Sequence, residues 1–230
     1  MTSQQDALKR LAAEAAVQQI KSGMVVGLGF GSTAVHALRA LGHKIQSGEL
    51  EQVFGVPTAA SIEQAASEAG IPLTTLEVHP EIDLTIDGAD EVDPKLNLIK
   101  GGGGALLREK IVAQASLRLV IVVDESKMSD QLGSLFKLPV EVNPFGWGSQ
   151  ARFLDQLGAT VELRLGQDGS AYCTENGNFI LDCDFGEIED LERLARQLEG
   201  RAGIAEHGLF LGLADEVIVG TQDGPQSLKR

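Results

Sequence analysis

The residues that could carry out chemistry are concentrated in 83–110, where the chain reads DLTIDGADEVDPKLNLIKGGGGALLREK. A short apolar run ends in Asp87-Gly88-Ala89-Asp90, so two carboxylates flank a tight turn at a strand end, where open α/β sheets place their ligand sites. Lys100 and four consecutive glycines follow. A run of glycines adds nothing to a core and costs conformational entropy, which is typical of a backbone that lies close to a ligand. Glu109 then lies in the first turns of a helix, where it can project back toward the same site.

Each of these features also has an ordinary structural interpretation. An aspartate at a strand end is often a turn or cap residue, and a glycine run is often a flexible loop. A glutamate in the first turns of a helix often only complements the helix dipole. The combination of all three inside one short stretch favours a functional site.

A second glycine-rich segment, GLGFGST at 27–33, follows an apolar run. A strand, a glycine-rich turn and a helix N-terminus together form an anion site, because free N–H groups and the helix dipole both favour a phosphate. We predict that Gly31, Ser32 and Thr33 contact this phosphate. The alternative is a dinucleotide fingerprint, but Ser32 replaces its third glycine and the next predicted strand ends in Pro57-Thr58 instead of an acidic residue. A single phosphate fits the segment better.

Several motifs occur in an order that resembles the type A ribose-5-phosphate isomerases. They are GLGFGSTA (27–34), DGADE (87–91), KGGGGALLREK (100–110), VVDESK (122–127), LPVEVNPF (138–145) and a final GLF…ADEVIVGT segment (208–221). The resemblance covers nearly the whole chain. One departure is Phe30, where the family usually has a threonine, so that the loop lacks one hydroxyl.

This resemblance implies an enzyme that interconverts D-ribose 5-phosphate and D-ribulose 5-phosphate. The reaction moves one proton between neighbouring carbons through an enediolate, so it needs a base, a donor to the developing oxyanion and a phosphate anchor. It needs neither a metal nor another cofactor. By resemblance Glu109 is the base, and burial should raise its pKa toward the working pH. Lys100 is the expected electrophile, together with N–H groups of Gly101, Gly102 and Gly103.

The turn between the two carboxylates is expected to bind the sugar. Asp87 and Asp90 should bind hydroxyl groups, with Gly88 and Ala89 between them in contact with the substrate. One of the two carboxylates, which we assign as Asp87, is expected to pass the proton that opens the furanose ring.

Two lysines complete the expected site. The resemblance gives Lys127 a substrate contact and places Lys9 in register with a lysine on the phosphate side. A solvated surface position is the alternative for both. The four histidines of the chain are scattered without metal-ligand spacing, so we predict no metal site.

Two domains are predicted from the order of the elements. Alternating strands and helices in the first part of the chain predict an α/β domain with a Rossmann-like, mostly parallel sheet. From Leu138 onward the order is close to β-α-β-β-α-β, which predicts a smaller ferredoxin-like α+β domain. We therefore assign 1–134 and 207–230 to the α/β catalytic domain and 135–206 to the small domain.

The small domain carries three local predictions. Asn176-Gly177 predicts a type I′ hairpin turn, and the apolar periodicity of 187–198 predicts a helix. Cys173 and Cys183 flank the turn and could form a disulfide across the hairpin. Two reduced thiols are favoured, because we expect a cytoplasmic enzyme.

Composition limits the partners of the chain. Its net charge of −14 argues against binding a nucleic acid. It allows a phosphorylated substrate, because local N–H groups and one or two lysines can override the global field. No apolar run approaches the roughly 18 residues that span a membrane, and no signal peptide is apparent. We expect a cytoplasmic homo-oligomer, most simply a homodimer, because members of the resembled family associate.

Two other functions remain open from sequence. A coenzyme A transferase of related fold would use Glu109 as a nucleophile and form an acyl thioester on it, although the lysine, the aspartates and the phosphate loop fit this chemistry poorly. A sugar-phosphate sensor would bind the ligand without turnover. Sensors on related folds normally carry a DNA-binding extension, which does not suit this acidic chain.

Overall fold

The computed structural model describes residues 3–230, and the chain in it divides into two compact units. The first unit contains the described residues up to Ala89, together with Arg108–Lys127 and Gly212–Arg230. The second unit contains Asp90–Leu107 and Met128–Leu211. Among the described residues, no helix combines the length and the hydrophobicity that are needed to cross a bilayer.

The helices and strands are numbered in chain order. They are α1 (Ser3–Val17), β1 (Val25–Leu28), α2 (Ser32–Gln46), β2 (Phe54–Pro57), α3 (Ala60–Glu68), β3 (Leu84–Asp87), β4 (Glu91–Val92), β5 (Leu98–Ile99), α4 (Leu106–Gln114), β6 (Leu119–Asp124), a 3₁₀ turn (Glu125–Lys127), β7 (Leu138–Val142), α5 (Trp147–Gln156), β8 (Thr160–Leu163), β9 (Phe179–Asp184), α6 (Leu191–Glu199), β10 (Ile204–His207), β11 (Leu209–Phe210), β12 (Glu216–Thr221) and β13 (Gly224–Lys229).

The first unit is built on a sheet whose described strands follow the order β13-β12-β6-β3-β1-β2. Neighbouring strands are parallel except β12 and β13, which are antiparallel. The strands β1, β3 and β6 are buried along their whole length. Continuous apolar, β-branched runs of this kind are typical of parallel strands covered on both faces. The predicted Rossmann-like α/β fold is confirmed.

Three of these strands end in the predicted site motifs. β1 leads into the segment 29–31, β3 ends at Asp87, and β6 ends at Asp124 just before the 3₁₀ turn. Because β1, β3 and β6 are parallel neighbours, their carboxyl ends lie at the same edge of the sheet. The fold thereby brings three separate motifs of the first unit to one edge.

The second unit contains the predicted ferredoxin-like arrangement. The elements β7, α5, β8, β9, α6 and β10 follow in the order β-α-β-β-α-β. Their strands form an antiparallel sheet in the order β10-β7-β9-β8. Apolar side chains of both helices, including Leu154 and Leu198, join the buried core against this sheet. A small sheet in the order β11-β5-β4 belongs to the same unit.

The compact units differ from the predicted domains in one main stretch. Residues 90–107, which were assigned to the α/β domain, pack within the second unit. There β5 pairs with β4 and with β11. The buried carboxylate of Glu91 accepts hydrogen bonds from the N–H groups of Gly133 and Phe136 at 3.0 Å each. Strands of two residues are too short to show an alternating pattern, so their pairing could not be predicted from the sequence.

The predicted type I′ turn at Asn176-Gly177 is wrong. That turn requires a positive φ at both central residues, whereas Gly177 has φ 79° and Asn176 is not among the described residues with positive φ. The Gly177 N–H donates to the Thr174 carbonyl at 2.9 Å, and the Thr174 N–H donates to the Asn178 carbonyl at 2.8 Å. The loop is therefore longer than the two residues of a type I′ turn, and Gly177 near its end has the left-handed conformation.

The helix predicted over 187–198 is shorter at its start. α6 begins at Leu191, because the Asp190 side chain accepts a hydrogen bond from the Arg193 N–H at 2.9 Å and caps the helix. The two cysteines are free thiols, Cys173 exposed and Cys183 buried. Burial, with a smaller contribution from a nearby carboxylate, raises the pKa of the Cys183 thiol.

Candidate active site

The glycine-rich segment after β1 forms the N-terminus of a long helix. α2 begins at Ser32, and the residue before it, Gly31, has φ 109° without a side-chain cap. A left-handed conformation of this kind favours glycine, since other residues are strained there. Since no side chain caps α2, its first N–H groups could bind an anion. Thr33 is buried and Ser32 is exposed at this end of the helix.

Lys9 lies against this segment. Its ammonium donates to the Ser32 hydroxyl at 3.0 Å and lies 3.9 Å from a carboxylate oxygen of Asp124. Lys9 is 7% exposed, so a solvated surface position does not describe it. Asp124 at the end of β6 was not predicted as a functional residue, although its position at a strand's carboxyl end was the available signal. The first unit therefore holds a buried cation at the predicted phosphate loop.

Asp87 is fixed by backbone hydrogen bonds at the end of β3. Its Oδ1 accepts from the N–H of Gly88 at 2.7 Å and from the N–H of Phe30 at 3.0 Å. A Cβ atom on Gly29 would lie 2.2 Å from this oxygen, so only glycine fits there. The carboxylate therefore joins the turn after β3 to the turn after β1, and Gly88 and Ala89 follow directly.

Glu109 is the fourth residue of α4 and is 3% exposed. Lys127 ends the 3₁₀ turn at the carboxyl end of β6 and is half-buried. The sheet edge of the first unit thus carries the predicted phosphate loop, Asp87 and Lys127.

The remaining predicted residues belong to the second unit. Lys100 is 2% exposed, and its ammonium lies 5.6 Å from the centre of the Phe210 ring, a cation–π contact. The Gly102 N–H donates to Asp90 Oδ2 at 2.7 Å. Gly101, at φ 105°, accepts from the N–H of Gly104 at 3.0 Å, which closes a tight turn. The glycine run is therefore an ordered loop, and it holds one of the two predicted carboxylates.

Arg164 also contacts the glycine loop, and no sequence motif predicted this contact. Its guanidinium donates to the carbonyls of Gly101 and Gly102 at 2.8 and 3.1 Å. It lies 63 residues from Gly101 along the chain, just after β8, where nothing local marks it.

A cavity of about 390 Å³ lies in the first unit. Its lining combines apolar side chains such as Leu76 and Ile111 with Arg108. None of the predicted site residues lines it. Within residues 3–230, the histidine, cysteine and acidic side chains form no cluster of three that could hold a metal ion.

A family model and similar proteins identify the family of the chain. The family model of ribose 5-phosphate isomerase A (phosphoriboisomerase A) matches residues 54–224. A protein of Desulfatibacillum aliphaticivorans named ribose-5-phosphate isomerase A is 56% identical over 100% of this chain and 99% of its own length. One of the same name from Chloroflexus aurantiacus is 55% identical over 98% of this chain and 94% of its own.

Solved structures give the same result. A D-ribose-5-phosphate isomerase in complex with phospho-erythronic acid is similar at a TM-score of 0.96, with 40% identity and 100% of both chains covered. Ribose 5-phosphate isomerase A from Methanocaldococcus jannaschii is similar at a TM-score of 0.93, with 41% identity over 97% of this chain and 99% of that one.

An α/β sheet edge with a glycine-rich loop at a helix N-terminus and a buried lysine is typical of enzymes that act on phosphorylated small molecules. The relatives narrow this class to the aldose–ketose isomerases. The chain belongs to the ribose-5-phosphate isomerase A family, and it interconverts D-ribose 5-phosphate and D-ribulose 5-phosphate. This family assignment leaves no support for the coenzyme A transferase, the sugar-phosphate sensor or the dinucleotide fingerprint.

Proposed function

We propose that Glu109 carries the proton between the two reacting carbons of the sugar phosphate through an enediolate. The observation that carries this proposal is the burial of its carboxylate, 3% exposed on the first turn of α4. Exclusion of water from the reacting carbons suits proton transfer by a carboxylate that is itself buried. Family membership supports the choice, since this glutamate lies in the motif that the family shares.

Lys100 stabilises the oxyanion of the enediolate in this mechanism. Its ammonium is almost fully buried, and a charge in such an environment acts on a developing negative charge far more strongly than in water. The N–H groups of Gly101 and Gly103 are the second source of donors, whereas the N–H of Gly102, which was also predicted as a donor, holds the carboxylate of Asp90. Because the same groups serve an aldehyde and a ketone oxygen, they lower the barrier in both directions.

The phosphate and the sugar hydroxyls of the substrate have separate binding groups in the proposed mechanism. The phosphate is bound by Lys9, Ser32, Thr33 and the first N–H groups of α2, and Gly31 turns the chain into this helix. Asp87, held by two N–H groups, passes the proton that opens the furanose ring, while Asp90 and Lys127 bind sugar hydroxyls.

Proton NMR of ribose 5-phosphate in heavy water tests the role of Glu109. The wild-type protein should form ribulose 5-phosphate with deuterium at carbon 1. Glu109→Gln should lower kcat by about 10²–10⁴, the contribution of a general base. The same variant should still bind phospho-erythronic acid, a phosphorylated acid with a planar carboxylate. Calorimetry with this acid measures binding apart from turnover.

Glu192→Gln is the matched control, because Glu192 also lies in the first turn of a helix but is exposed on α6. It should keep wild-type kcat and KM. Equal loss of binding and turnover in Glu109→Gln would make Glu109 a structural residue and refute the proposal. Retained turnover in that variant would refute it as well.

We propose further that the enzyme acts in the cytoplasm as a homodimer. The support on the surface of the second unit is Phe145, whose side chain is 92% exposed, beside Trp147, which is 36% exposed. Large apolar groups so exposed are typical of surfaces that bind a partner. Light scattering should give twice the 24.4 kDa chain mass, and Phe145→Ser should shift the enzyme toward the monomer. A wild-type monomer at micromolar concentration would contradict the proposal.

A further inference from the structure

The carbonyl groups of the glycine loop are held by one side chain of the second unit. Arg164 Nη1 donates to the Gly101 oxygen at 2.8 Å and to the Gly102 oxygen at 3.1 Å. The Tyr172 hydroxyl makes a longer contact of 3.4 Å with the Gly103 oxygen. Three successive carbonyls of the loop therefore face the same group of side chains.

Arg164 is itself fixed in place. Its guanidinium forms a bidentate pair with Asp182 on β9, through Nε to Oδ2 at 2.9 Å and through Nη2 to Oδ1. Only 15% of the Arg164 side chain and 22% of the Asp182 side chain are exposed. The Tyr172 ring lies 6.0 Å from the guanidinium carbon. A bidentate pair of this kind sets direction as well as energy, so Arg164 presents its remaining donors to the loop at a defined angle.

The position of these carbonyls determines where the amide groups point. In a trans peptide the C=O and the following N–H point in opposite directions, and the described residues contain no cis peptide bond. Because Arg164 binds the Gly102 carbonyl, the Gly103 N–H points away from Arg164. By the same rule the Gly102 N–H points away from it, and this N–H donates to Asp90 Oδ2 at 2.7 Å.

We infer that Arg164, held by Asp182, is a positioning residue for the isomerisation. It turns the N–H groups of the glycine loop, and through Gly102 the carboxylate of Asp90, toward the substrate. The inference rests on the proposed role of the glycine N–H groups as donors to the enediolate oxygen. A glycine loop needs such a holder, because glycine has the largest conformational freedom of any residue.

Hydrogen exchange and kinetics together test the inference. In Arg164→Met, the amides of 101–104 should exchange about tenfold faster, because their opening becomes easier, while the rest of the second unit keeps its rates. The variant should lose about 10- to 100-fold in kcat, as expected for catalytic donors misplaced by about 1 Å. Its KM should stay within about threefold, because the phosphate contacts are unchanged. Arg164→Lys, which keeps one donor, should recover part of kcat.

Two further variants test whether the effects come from the contact between Arg164 and the glycine loop. Lys137→Met removes another cation beside β8, one whose ammonium donates to Glu162 at 2.8 Å and does not contact the glycine loop, so it should change neither kcat nor exchange. The double variant Arg164→Met/Asp182→Asn removes the carboxylate that the single variant leaves unpaired. It should fold even if the single variant does not, and should show the same loss of kcat.

The outcomes separate this inference from the proposed function. Exchange is measured without substrate, so faster exchange confined to 101–104 supports the holding role even in a protein that does not turn over. A wild-type enzyme that fails to isomerise ribose 5-phosphate would count against the proposed function. Unchanged kcat in Arg164→Met, or faster exchange across the whole unit, would overturn the inference.

Discussion

Replacing Lys9 should change two quantities that can be measured separately, the affinity for the substrate phosphate and the stability of the first unit. The Lys9 ammonium donates to the Ser32 hydroxyl at 3.0 Å and lies 3.9 Å from the Asp124 carboxylate, and Lys9 is buried. Lys9→Met removes the cation and keeps most of the apolar stem. The change should therefore weaken substrate binding through Ser32 and destabilise the fold through Asp124.

The size of each effect follows from these contacts. A hydrogen bond to a charged group contributes about 1.5–3 kcal/mol, so KM for ribose 5-phosphate should rise about 10- to 100-fold. kcat should change little, because the phosphate is bound equally in the ground state and the transition state. Asp124, 2% exposed, would keep the N–H and the hydroxyl of Ser126 as hydrogen-bond donors. An uncompensated buried charge of this kind costs about 3 kcal/mol in the free energy of unfolding.

A double-variant cycle measures both effects. Steady-state kinetics and urea unfolding would be compared for Lys9→Met, Asp124→Asn and the double variant. The double variant should recover the free energy of unfolding to within about 1 kcal/mol, since no buried charge is left alone. It should keep the raised KM. Lys21→Met, at an exposed lysine just after α1, should leave both quantities at their wild-type values.

Either of two results would contradict these roles of Lys9. If the double variant recovers KM together with stability, Lys9 acts on the substrate only through the fold. If Lys9→Met lowers kcat and leaves KM unchanged, the lysine acts in the chemical step and the phosphate-side assignment is wrong.

Three further changes have defined outcomes. Glu91→Ala leaves three N–H groups without their acceptor, so the free energy of unfolding should fall by about 3–5 kcal/mol in urea titration; a loss under 1 kcal/mol would show that water replaces the carboxylate. A thiol reagent at neutral pH should modify Cys173 alone in the folded enzyme and also Cys183 after denaturation, because Cys183 is buried with a raised pKa. Two equivalents in the native state would contradict that burial. Phe30→Thr supplies a hydroxyl to the phosphate loop and keeps the backbone bond to Asp87, so KM should fall about two- to fivefold, a gain of about 0.5–1 kcal/mol; an unchanged KM would show that position 30 acts through its backbone alone.

The parts of the fold with a regular sequence pattern could be predicted. β6 is a continuous apolar run and is buried along its whole length, which the pattern indicates directly. The change of pattern at Leu138 correctly marks the start of a ferredoxin-like arrangement. The turn at Gly177 was assigned to the wrong type, because an Asn-Gly pair suits several turns and hydrogen bonds of Thr174 and Asn178 select among them.

The site could be predicted only where chemistry is concentrated in a motif. The carboxylate of Asp87 and the loop at Ser32 were recognisable because each follows a strand directly. The burial of Lys9 was not recognisable, because its partners lie on α2 and at the end of β6, far along the chain. Arg164 had no local signal at all, since its function depends on a contact that the tertiary fold creates.

The first unit is built from separate segments of the chain, and this affects both its synthesis and its engineering. The second unit ends at Leu211, whereas the first unit still needs β12, an inner strand of its sheet between β6 and β13. During translation, the first unit therefore stays incomplete until the last segment of the chain has left the ribosome, although it began with the N-terminal helix. A truncation after Leu211 would remove an inner strand of the first unit and none of the second.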